Sequence, residues 1–287
     1  MSHPMLPALK RQNSKKLFYL AGLLLMAILF SFSATAQGDL LLFPKRLVFE
    51  NNNRSQTINL SNIGKDTARY NISFVQIRMN EDGSVENIKM PDAGQSFADP
   101  YLRFYPRSVT LAPNESQTVK VQLTKTSELK PGEYRSHLYF RAVPAPKPLG
   151  EKETTTDSSS ISIKLTPVFG ISMAAIIRVG ENDAKVNFSD AALDLQKDTA
   201  INLTFSRAGS MSVYGDVAIE HIAKSGKVTP VGIVKGLAVY TPNTTRRFRL
   251  ALDKSAKVNY HSGKLRIVYT DQSPKAVVLA EKEIELK

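Results

Sequence analysis

The side chains that most often perform catalysis or bind metals are few and scattered in this chain of 287 residues. It has no cysteine, and beyond the N-terminal segment its histidines, His137, His221 and His261, lie far apart. A zinc site needs several closely placed ligands, and no His-Glu-x-x-His motif is present. A Gly-x-Ser-x-Gly elbow and a phosphate-binding glycine-rich loop are also absent. We therefore predict a protein that is not an enzyme, with no catalytic residue, no metal, no cofactor and no small-molecule substrate.

The acidic residues do not favour acid–base chemistry either. Glu81 and Asp82 are adjacent, and Asp92 and Asp99 are close in sequence, but turn-forming residues surround them. Such side chains hydrogen-bond nearby backbone groups in turns, so a solvated role in loops is the commoner one. His137 lies in a strand-like segment, and we predict a structural role for it.

The first 36 residues have the three parts of a secretory signal peptide. Four basic residues between positions 10 and 16 precede an apolar segment at 17–32, and Ala34-Thr35-Ala36 supplies the small residues of a cleavage site. We predict cleavage after Ala36 and export to the periplasm, with an uncleaved membrane anchor as the alternative. Without cysteine, neither a lipoprotein anchor nor a disulfide can form.

The charge of the chain is moderately basic. The formal net charge is +12, from 38 Lys and Arg against 26 Asp and Glu. The first 36 residues hold four of the basic residues and no acidic one, which leaves 34 against 26, or +8, in the rest. These residues are dispersed along strands without a dense run, which favours a solvated surface. Nucleic acid is not expected as a partner of an exported protein with this pattern.

Short segments in which apolar and polar residues alternate recur after the signal peptide. A period of two indicates strands with one buried face. Turn signals such as Lys130-Pro131-Gly132 and Lys224-Ser225-Gly226 separate them, with the spacing of antiparallel sandwiches. The clearest alternating segments lie at 57–60, 118–123, 247–252 and 264–269. These observations predict an all-β fold.

Two halves of the chain repeat the same order of turn, alternating strand, turn and alternating strand. Pro113-Asn114 begins this order in the first half, and Pro242-Asn243 begins it in the second. A duplicated immunoglobulin-like β-sandwich explains the repeat. We predict a signal peptide at 1–36, an N-terminal immunoglobulin-like domain at 37–179 and a C-terminal immunoglobulin-like β-sandwich domain at 180–287.

A polar segment at 150–160 interrupts the alternation, and its composition predicts a loop because it cannot bury a core. The mostly apolar segment at 161–179 follows it. One alternating set within this segment is Ile161, Ile163 and Leu165, and a second set is Ile171, Met173, Ala175 and Ile177. The commoner meaning of such a pattern is an interior strand.

Five segments of the first domain resemble the PapD-like periplasmic chaperones of the chaperone/usher pathway, as a divergent member. They are 44–49 (Pro-Lys-Arg-Leu-Val-Phe), 56–62 (Gln-Thr-Ile-Asn-Leu-Ser-Asn), 102–107 (Leu-Arg-Phe-Tyr-Pro-Arg), 111–119 (Leu-Ala-Pro-Asn-Glu-Ser-Gln-Thr-Val) and 132–140 (Gly-Glu-Tyr-Arg-Ser-His-Leu-Tyr-Phe). Their order, followed by a polar loop, an apolar strand and a second sandwich, carries the resemblance. The second domain resembles the family in length and strand pattern.

The resemblance implies a chaperone that donates a β-strand to an incomplete subunit. In that family a subunit lacks one strand, and the last strand of the chaperone's first domain fills the resulting groove by strand addition. Alternating apolar side chains of the donor strand provide the affinity. The matching residues are Ile161, Ile163, Leu165 and Phe169.

The resemblance also implies a basic pair that binds the subunit's terminal carboxylate, since a buried carboxylate needs charge-assisted hydrogen bonds. Arg46 matches the first member of the pair, although its alternating position alone predicts an exposed strand residue. The second member is a lysine in the family, and Ala174 stands at that position. Arg178 or Lys164 is the alternative second cation.

The partners expected from this family are secreted or pilus subunit proteins, with an outer-membrane usher as a further one. A dimer in which each copy covers the other's donor strand is also plausible, because a free strand edge tends to pair. The competing hypothesis is a structural or adhesive envelope protein, because a fold alone does not define a function.

Overall fold

The computed structural model describes residues 40–144, 168–196 and 198–287. The alternating segments of the first half form strands of one sandwich, together with two short 3-10 helices at Asp99–Tyr101 and Thr126–Glu128. The strands are β1 (Leu40–Phe43), β2 (Leu47–Phe49), β3 (Ser55–Asn62), β4 (Ala68–Val75), β5 (Ile77–Met79), β6 (Val85–Asn87), β7 (Leu102–Tyr105), β8 (Ser108–Leu111), β9 (Ser116–Leu123), β10 (Gly132–Val143) and β11 (Gly170–Val179).

Two sheets make up the first sandwich. One has the strand order β1-β3-β9-β7, and the other has the order β2-β11-β10-β4-β8. Most inward-facing side chains of both sheets are apolar, and Ile58, Val119, Leu138 and Phe140 are fully buried. Removing apolar surface from water stabilises a fold by roughly 25 cal/mol per Å². The same alternation that predicts the strands therefore also provides the core between the sheets.

The second sandwich has a core of its own and a 3-10 helix at Lys254–Ala256. Its sheets have the orders β12-β13-β16 and β15-β14-β17-β18. Its strands are β12 (Lys185–Asp194), β13 (Ala200–Ala208), β14 (Val213–Ile222), β15 (Val228–Val239), β16 (Thr245–Ala251), β17 (Gly263–Asp271) and β18 (Val278–Leu286).

Both sandwiches belong to one compact unit, Asp39–Lys287. The β5–β6 hairpin of the first sandwich contacts the second. Asn243 Nδ2 donates a hydrogen bond to the carbonyl of Met79 at 2.7 Å, and the backbone N–H of Arg247 donates to the carbonyl of Glu81 at 2.6 Å. The predicted fold class, two immunoglobulin-like β-sandwiches, is confirmed. Within the described ranges, no helix has the length and apolar character needed to cross a membrane.

Tyr134 forms a corner near the start of β10. Its hydroxyl accepts a hydrogen bond from the backbone N–H of Lys130 at 2.9 Å and donates one to the carbonyl of the same residue at 3.2 Å. Its ring packs edge-on against Tyr101, with centroids 5.3 Å apart. The hydroxyl thus holds the turn while the ring joins the edge of the core.

We expect Tyr134→Phe to lower the free energy of unfolding by about 1 kcal/mol, because the ring remains while two hydrogen bonds to Lys130 are lost. Tyr105→Phe is the matched control, since the Tyr105 side chain is 78% exposed. Its effect should stay within about 0.5 kcal/mol. Urea unfolding followed by circular dichroism measures both. Equal losses in the two variants would show that the corner hydrogen bonds do not contribute.

Candidate functional site

The two sandwiches meet around the buried carboxylate of Glu133. Glu133 Oε2 accepts hydrogen bonds from the backbone N–H and the hydroxyl of Ser212, at 2.9 and 2.6 Å. Glu133 Oε1 accepts one from Arg135 Nη1 at 3.1 Å. A buried carboxylate is stable only when such donors replace its water. The first sandwich therefore contributes the charged group, and the second contributes hydrogen-bond donors that replace part of its hydration.

The strand alternation explains why these polar residues share one face. Tyr134 and Ser136 point toward the first core, and Glu133, Arg135 and His137 point toward the second sandwich. Arg135 Nη2 donates to the carbonyl of Thr241 at 2.7 Å, and its guanidinium lies over the Tyr240 ring, 4.1 Å from the centroid. Burial lowers the pKa of Arg135, although the Glu133 carboxylate acts in the opposite direction.

Arg46 lies at the same junction, directly before β2. Its guanidinium stacks on Tyr214 of the second sandwich, with Cζ 3.9 Å from the ring centroid. Nη1 of Arg46 is buried and has no hydrogen-bond partner among the described residues. Burial, followed by repulsion from Arg178, lowers the pKa of Arg46. The expectation from alternation alone, an exposed strand residue, is therefore wrong, because the second sandwich covers this face.

Arg178 lies close enough to Arg46 to repel it electrostatically. Ala174 lies on the same face of β11 as Arg178. Arg178 Nη2 donates to the carbonyl of Ser212 at 2.9 Å, and its Nε lies 3.4 Å from Glu133 Oε2. The Ala174 side chain is buried, and β11 pairs it with His137. Lys164, the other alternative cation, lies outside the described residues. The assignment of a second anchoring cation therefore stays a prediction.

One half of β11 has an edge without a strand partner among the described residues. The strand pairs with β10 along its whole length, from Gly170 opposite Arg141 to Val179 opposite Gly132. On its other side, within the described part of the chain, it pairs only with β2, at Ala175–Ile177. Within the described ranges, the backbone of residues 170–174 therefore has no strand partner on that side.

The same half of β11 is also apolar. Val168, Phe169 and Ile171 are 38%, 47% and 37% exposed. The carbonyl of Phe169 accepts a hydrogen bond from the backbone N–H of Ala142 at 2.9 Å, so the pairing with β10 continues beyond the start of the strand. Of the predicted donor residues, Phe169 lies here, and Ile161, Ile163 and Leu165 lie outside the described residues.

Other edge strands carry features that discourage pairing with a further strand. β15 contains Pro230, which lacks an N–H, and two register shifts against β14. β18 presents the exposed carboxylates of Glu281, Glu283 and Glu285. Strands β1, β7 and β8 have only four residues each. The edge at residues 168–174 has neither a proline, nor a charge, nor a register shift against β10.

Sequence reasoning identified Arg46 but assigned no binding role to Glu133 or Arg135. The signal was present in the alternation Glu133-x-Arg135-x-His137, which puts three ionisable groups on one face of an otherwise apolar strand. The contributions of Ser212 and Tyr214 had no such signal. The described residues also contain no group of three or more His, Cys, Asp or Glu side chains placed to hold a metal ion.

Comparison with protein families agrees with this fold. An Fn3-like domain family matches residues 48–141. No curated protein matches the chain by sequence. Similar solved structures include the YadV chaperone, at 13% identity and a TM-score of 0.44, covering 86% of this chain and 100% of that chain. The CupB2 chaperone of Pseudomonas aeruginosa has 13% identity and a TM-score of 0.43, with the same coverage.

The chaperone DraB of E. coli is a further similar structure, at 12% identity and a TM-score of 0.41, covering 86% of this chain and 96% of that chain. Each of these three structures is of a chaperone.

Proposed function

We propose that this protein is a periplasmic chaperone that binds secreted or pilus subunits by adding a strand to their incomplete sandwich. The observation that supports the proposal is the apolar edge at residues 168–174, which has no strand partner on its outer side in the part of the chain that the structure describes. An unpaired edge can accept an additional strand through backbone hydrogen bonds, and pockets for alternate side chains provide the specificity. The subunit then shields this edge from aggregation.

The spacing of the apolar residues, which all occupy odd-numbered positions, supports an extended donor strand. Ile161, Ile163 and Leu165 have the same parity as Phe169 and Ile171, so a continuous strand would place all five side chains on one face. Each aliphatic side chain that is buried in a partner contributes about 1.5–3 kcal/mol before the cost of ordering the segment. Three or four such residues suffice for a tight complex that can still exchange.

The junction supports a second part of the proposal, in which Arg46 binds the terminal carboxylate of the subunit. Arg46 Nη1 lacks a hydrogen-bond partner among the described residues, while Arg178 already contacts Glu133 and Ser212. Arg135 and Arg178 contact the buried carboxylate of Glu133, and Arg178 also pairs with the more exposed Glu50. With Arg46, three guanidinium groups face these two carboxylates, which leaves a local positive excess. An anion would satisfy both the excess charge and the unpaired donor.

Photochemical crosslinking tests the donor-edge proposal. We expect a photoreactive phenylalanine analogue at Phe169, in protein exported to the periplasm, to capture a secreted β-rich subunit. Val228 is the matched control position, because both side chains are 47% exposed and Val228 also lies on an edge strand. Gel electrophoresis and mass spectrometry of the crosslinked product identify the partner. Equal capture from positions 169 and 228 would contradict a dedicated donor edge.

Introducing a charge into the donor segment gives a second test in the same crosslinking experiment. In the protein with the analogue at position 169, Ile163→Glu should reduce capture about tenfold or more, because a carboxylate cannot enter an apolar pocket. Ser162→Glu adds the same charge at the neighbouring residue of opposite parity and should retain capture. Capture that survives Ile163→Glu would favour the structural or adhesive envelope protein.

A further inference from the structure

Tyr214 belongs to the second sandwich, yet it sets the position of a cation of the first. Its ring lies against the Arg46 guanidinium at 3.9 Å, which is a favourable cation–π distance. A guanidinium that stacks on a ring keeps its N–H groups in the plane parallel to the ring, where they can still donate. The stacking therefore holds Arg46 without using its hydrogen bonds.

Gly236 leaves the space that the Tyr214 ring occupies. Gly236 has a φ of +73°, and a Cβ atom built on it would lie 2.7 Å from the Tyr214 hydroxyl. Its N–H donates to Asp216 Oδ1 at 2.8 Å, next to the register shift between β14 and β15. A side chain at this position would displace the ring, so the glycine allows Tyr214 to approach this part of β15.

The Arg135–Tyr240 pair at the same junction serves as a comparison for the Arg46–Tyr214 pair. Arg135 is held by hydrogen bonds as well as by stacking on a ring. Arg135 also lies over a ring, at 4.1 Å, but it donates hydrogen bonds to Glu133 and Thr241. Arg46 has the stack, and its Nη1 is buried without a partner in the described part of the chain. The two arginines therefore differ at their terminal nitrogens. Both terminal nitrogens of Arg135 donate hydrogen bonds, whereas Nη1 of Arg46 does not; Nε of Arg135 is likewise buried without a partner among the described residues.

We propose that Tyr214 is the positioning residue of an anion site at Arg46, and that the ring holds the guanidinium at the junction with Nη1 free for one carboxylate. This inference rests on the proposed function, since the carboxylate would be the C-terminus of the client. It extends that function by making the second sandwich a component of the site. The first sandwich alone would not hold Arg46 in this position.

Nuclear magnetic resonance of the Arg46 Nε–Hε group tests the inference, with N-acetylglycine as the carboxylate probe and N-acetylglycinamide as the uncharged control. The resonance is identified by its loss in Arg46→Lys. We expect the wild-type resonance to shift with the acid and not with the amide. Tyr214→Leu should remove the ring-current shift and weaken the acid response by about threefold or more, whereas Tyr214→Phe should preserve both.

Gly236→Ala is the second variant, and it leaves both Arg46 and Tyr214 in the chain. It should move the Arg46 resonance and weaken the response, and the dispersion of the backbone amide spectrum shows whether each variant is folded. A response that is unchanged in Tyr214→Leu, or lost equally in Tyr214→Phe, overturns positioning by the ring face. A wild-type protein that does not distinguish acid from amide overturns the anion site itself.

The crosslinking at Phe169 separates failure of this inference from failure of the proposed function. Capture of a subunit from position 169 does not depend on the Arg46 resonance. If capture succeeds and the Tyr214 variants have no effect, the donor edge stands and the positioning role is wrong. If the Tyr214 variants behave as expected and nothing is captured, the anion site stands without the chaperone function.

Discussion

Glu133→Ala should lower the free energy of unfolding by about 3–5 kcal/mol, which is the effect of removing one partner from a buried ion pair. The side chain of Glu133 is 0% exposed and that of Arg135 is 2% exposed. Without the carboxylate, Arg135 stays buried with an uncompensated charge, and Ser212 loses an acceptor for both its N–H and its hydroxyl. Chemical unfolding followed by circular dichroism measures the loss, since the chain has no tryptophan.

Glu283→Ala is the matched control for Glu133→Ala. It breaks the Lys264–Glu283 pair, which has a shorter N–O distance of 2.6 Å but side chains that are 33% and 43% exposed. Exposed pairs contribute at most about 1 kcal/mol, so the control should be nearly neutral. If the two variants lose similar amounts, burial does not decide the contribution of the Glu133 network.

The Glu133 network should also couple the unfolding of the two sandwiches. Glu133 accepts from Ser212 across a sequence separation of 79 residues, and Arg135 donates to Thr241 across 106 residues. If these contacts make the unfolding cooperative, Glu133→Ala should broaden the transition or divide it in two. A single transition of unchanged slope in the variant would mean that other contacts, such as those of the β5–β6 hairpin, couple the sandwiches.

Much of the fold could be predicted from the sequence, because it depends on local periodicity. The segments at 57–60 and 118–123 alternate with a period of two, and they lie in β3 and β9. The turn at Pro242-Asn243 precedes β16 just as Pro113-Asn114 precedes β9. Each pattern spans a few residues and carries its own physical reason. The distribution of strands between two sheets depends on distant pairing, which periodicity does not encode.

The candidate site was predictable only in part, because it combines residues from both sandwiches. Arg46 could be predicted because it lies in the segment 44–49, which resembles the chaperone family. Its contact with Tyr214 joins residues that are more than 160 positions apart, and no spacing rule connects them. Ser212 gave no signal, because a serine contributes here mainly through its position beside a carboxylate.

The second large effect is a loss of stability on acidification that depends on His137. Burial, with a smaller contribution from the Arg135 guanidinium, lowers the pKa of His137 to about 3. Its Nδ1 has no hydrogen-bond partner among the described residues, and its ring lies 6.3 Å from that of Tyr240. The folded protein therefore keeps this imidazole neutral, whereas in the unfolded chain it binds a proton below about pH 6.5.

The direction of the pH effect follows from proton binding. Between about pH 6.5 and pH 3 the unfolded state binds more protons than the folded state, so acidification favours unfolding. The contribution of His137 is fully present above about pH 6.5 and is lost progressively below it. At pH 5 the loss amounts to about 2 kcal/mol relative to pH 7.5, because each pH unit corresponds to about 1.4 kcal/mol.

His137→Phe keeps a ring at this position and removes the titrating group. We therefore expect the difference in unfolding free energy between pH 7.5 and pH 5 to be about 2 kcal/mol smaller in the variant than in the wild type. Carboxylates with lowered pKa values, such as those of Asp92 and Asp271, are present in both proteins and act mainly at lower pH. Denaturant unfolding at the two pH values gives the comparison. Equal pH dependence in the two proteins would show that His137 gains access to protons without unfolding, as would occur if the sandwiches separated at the junction while each stayed folded.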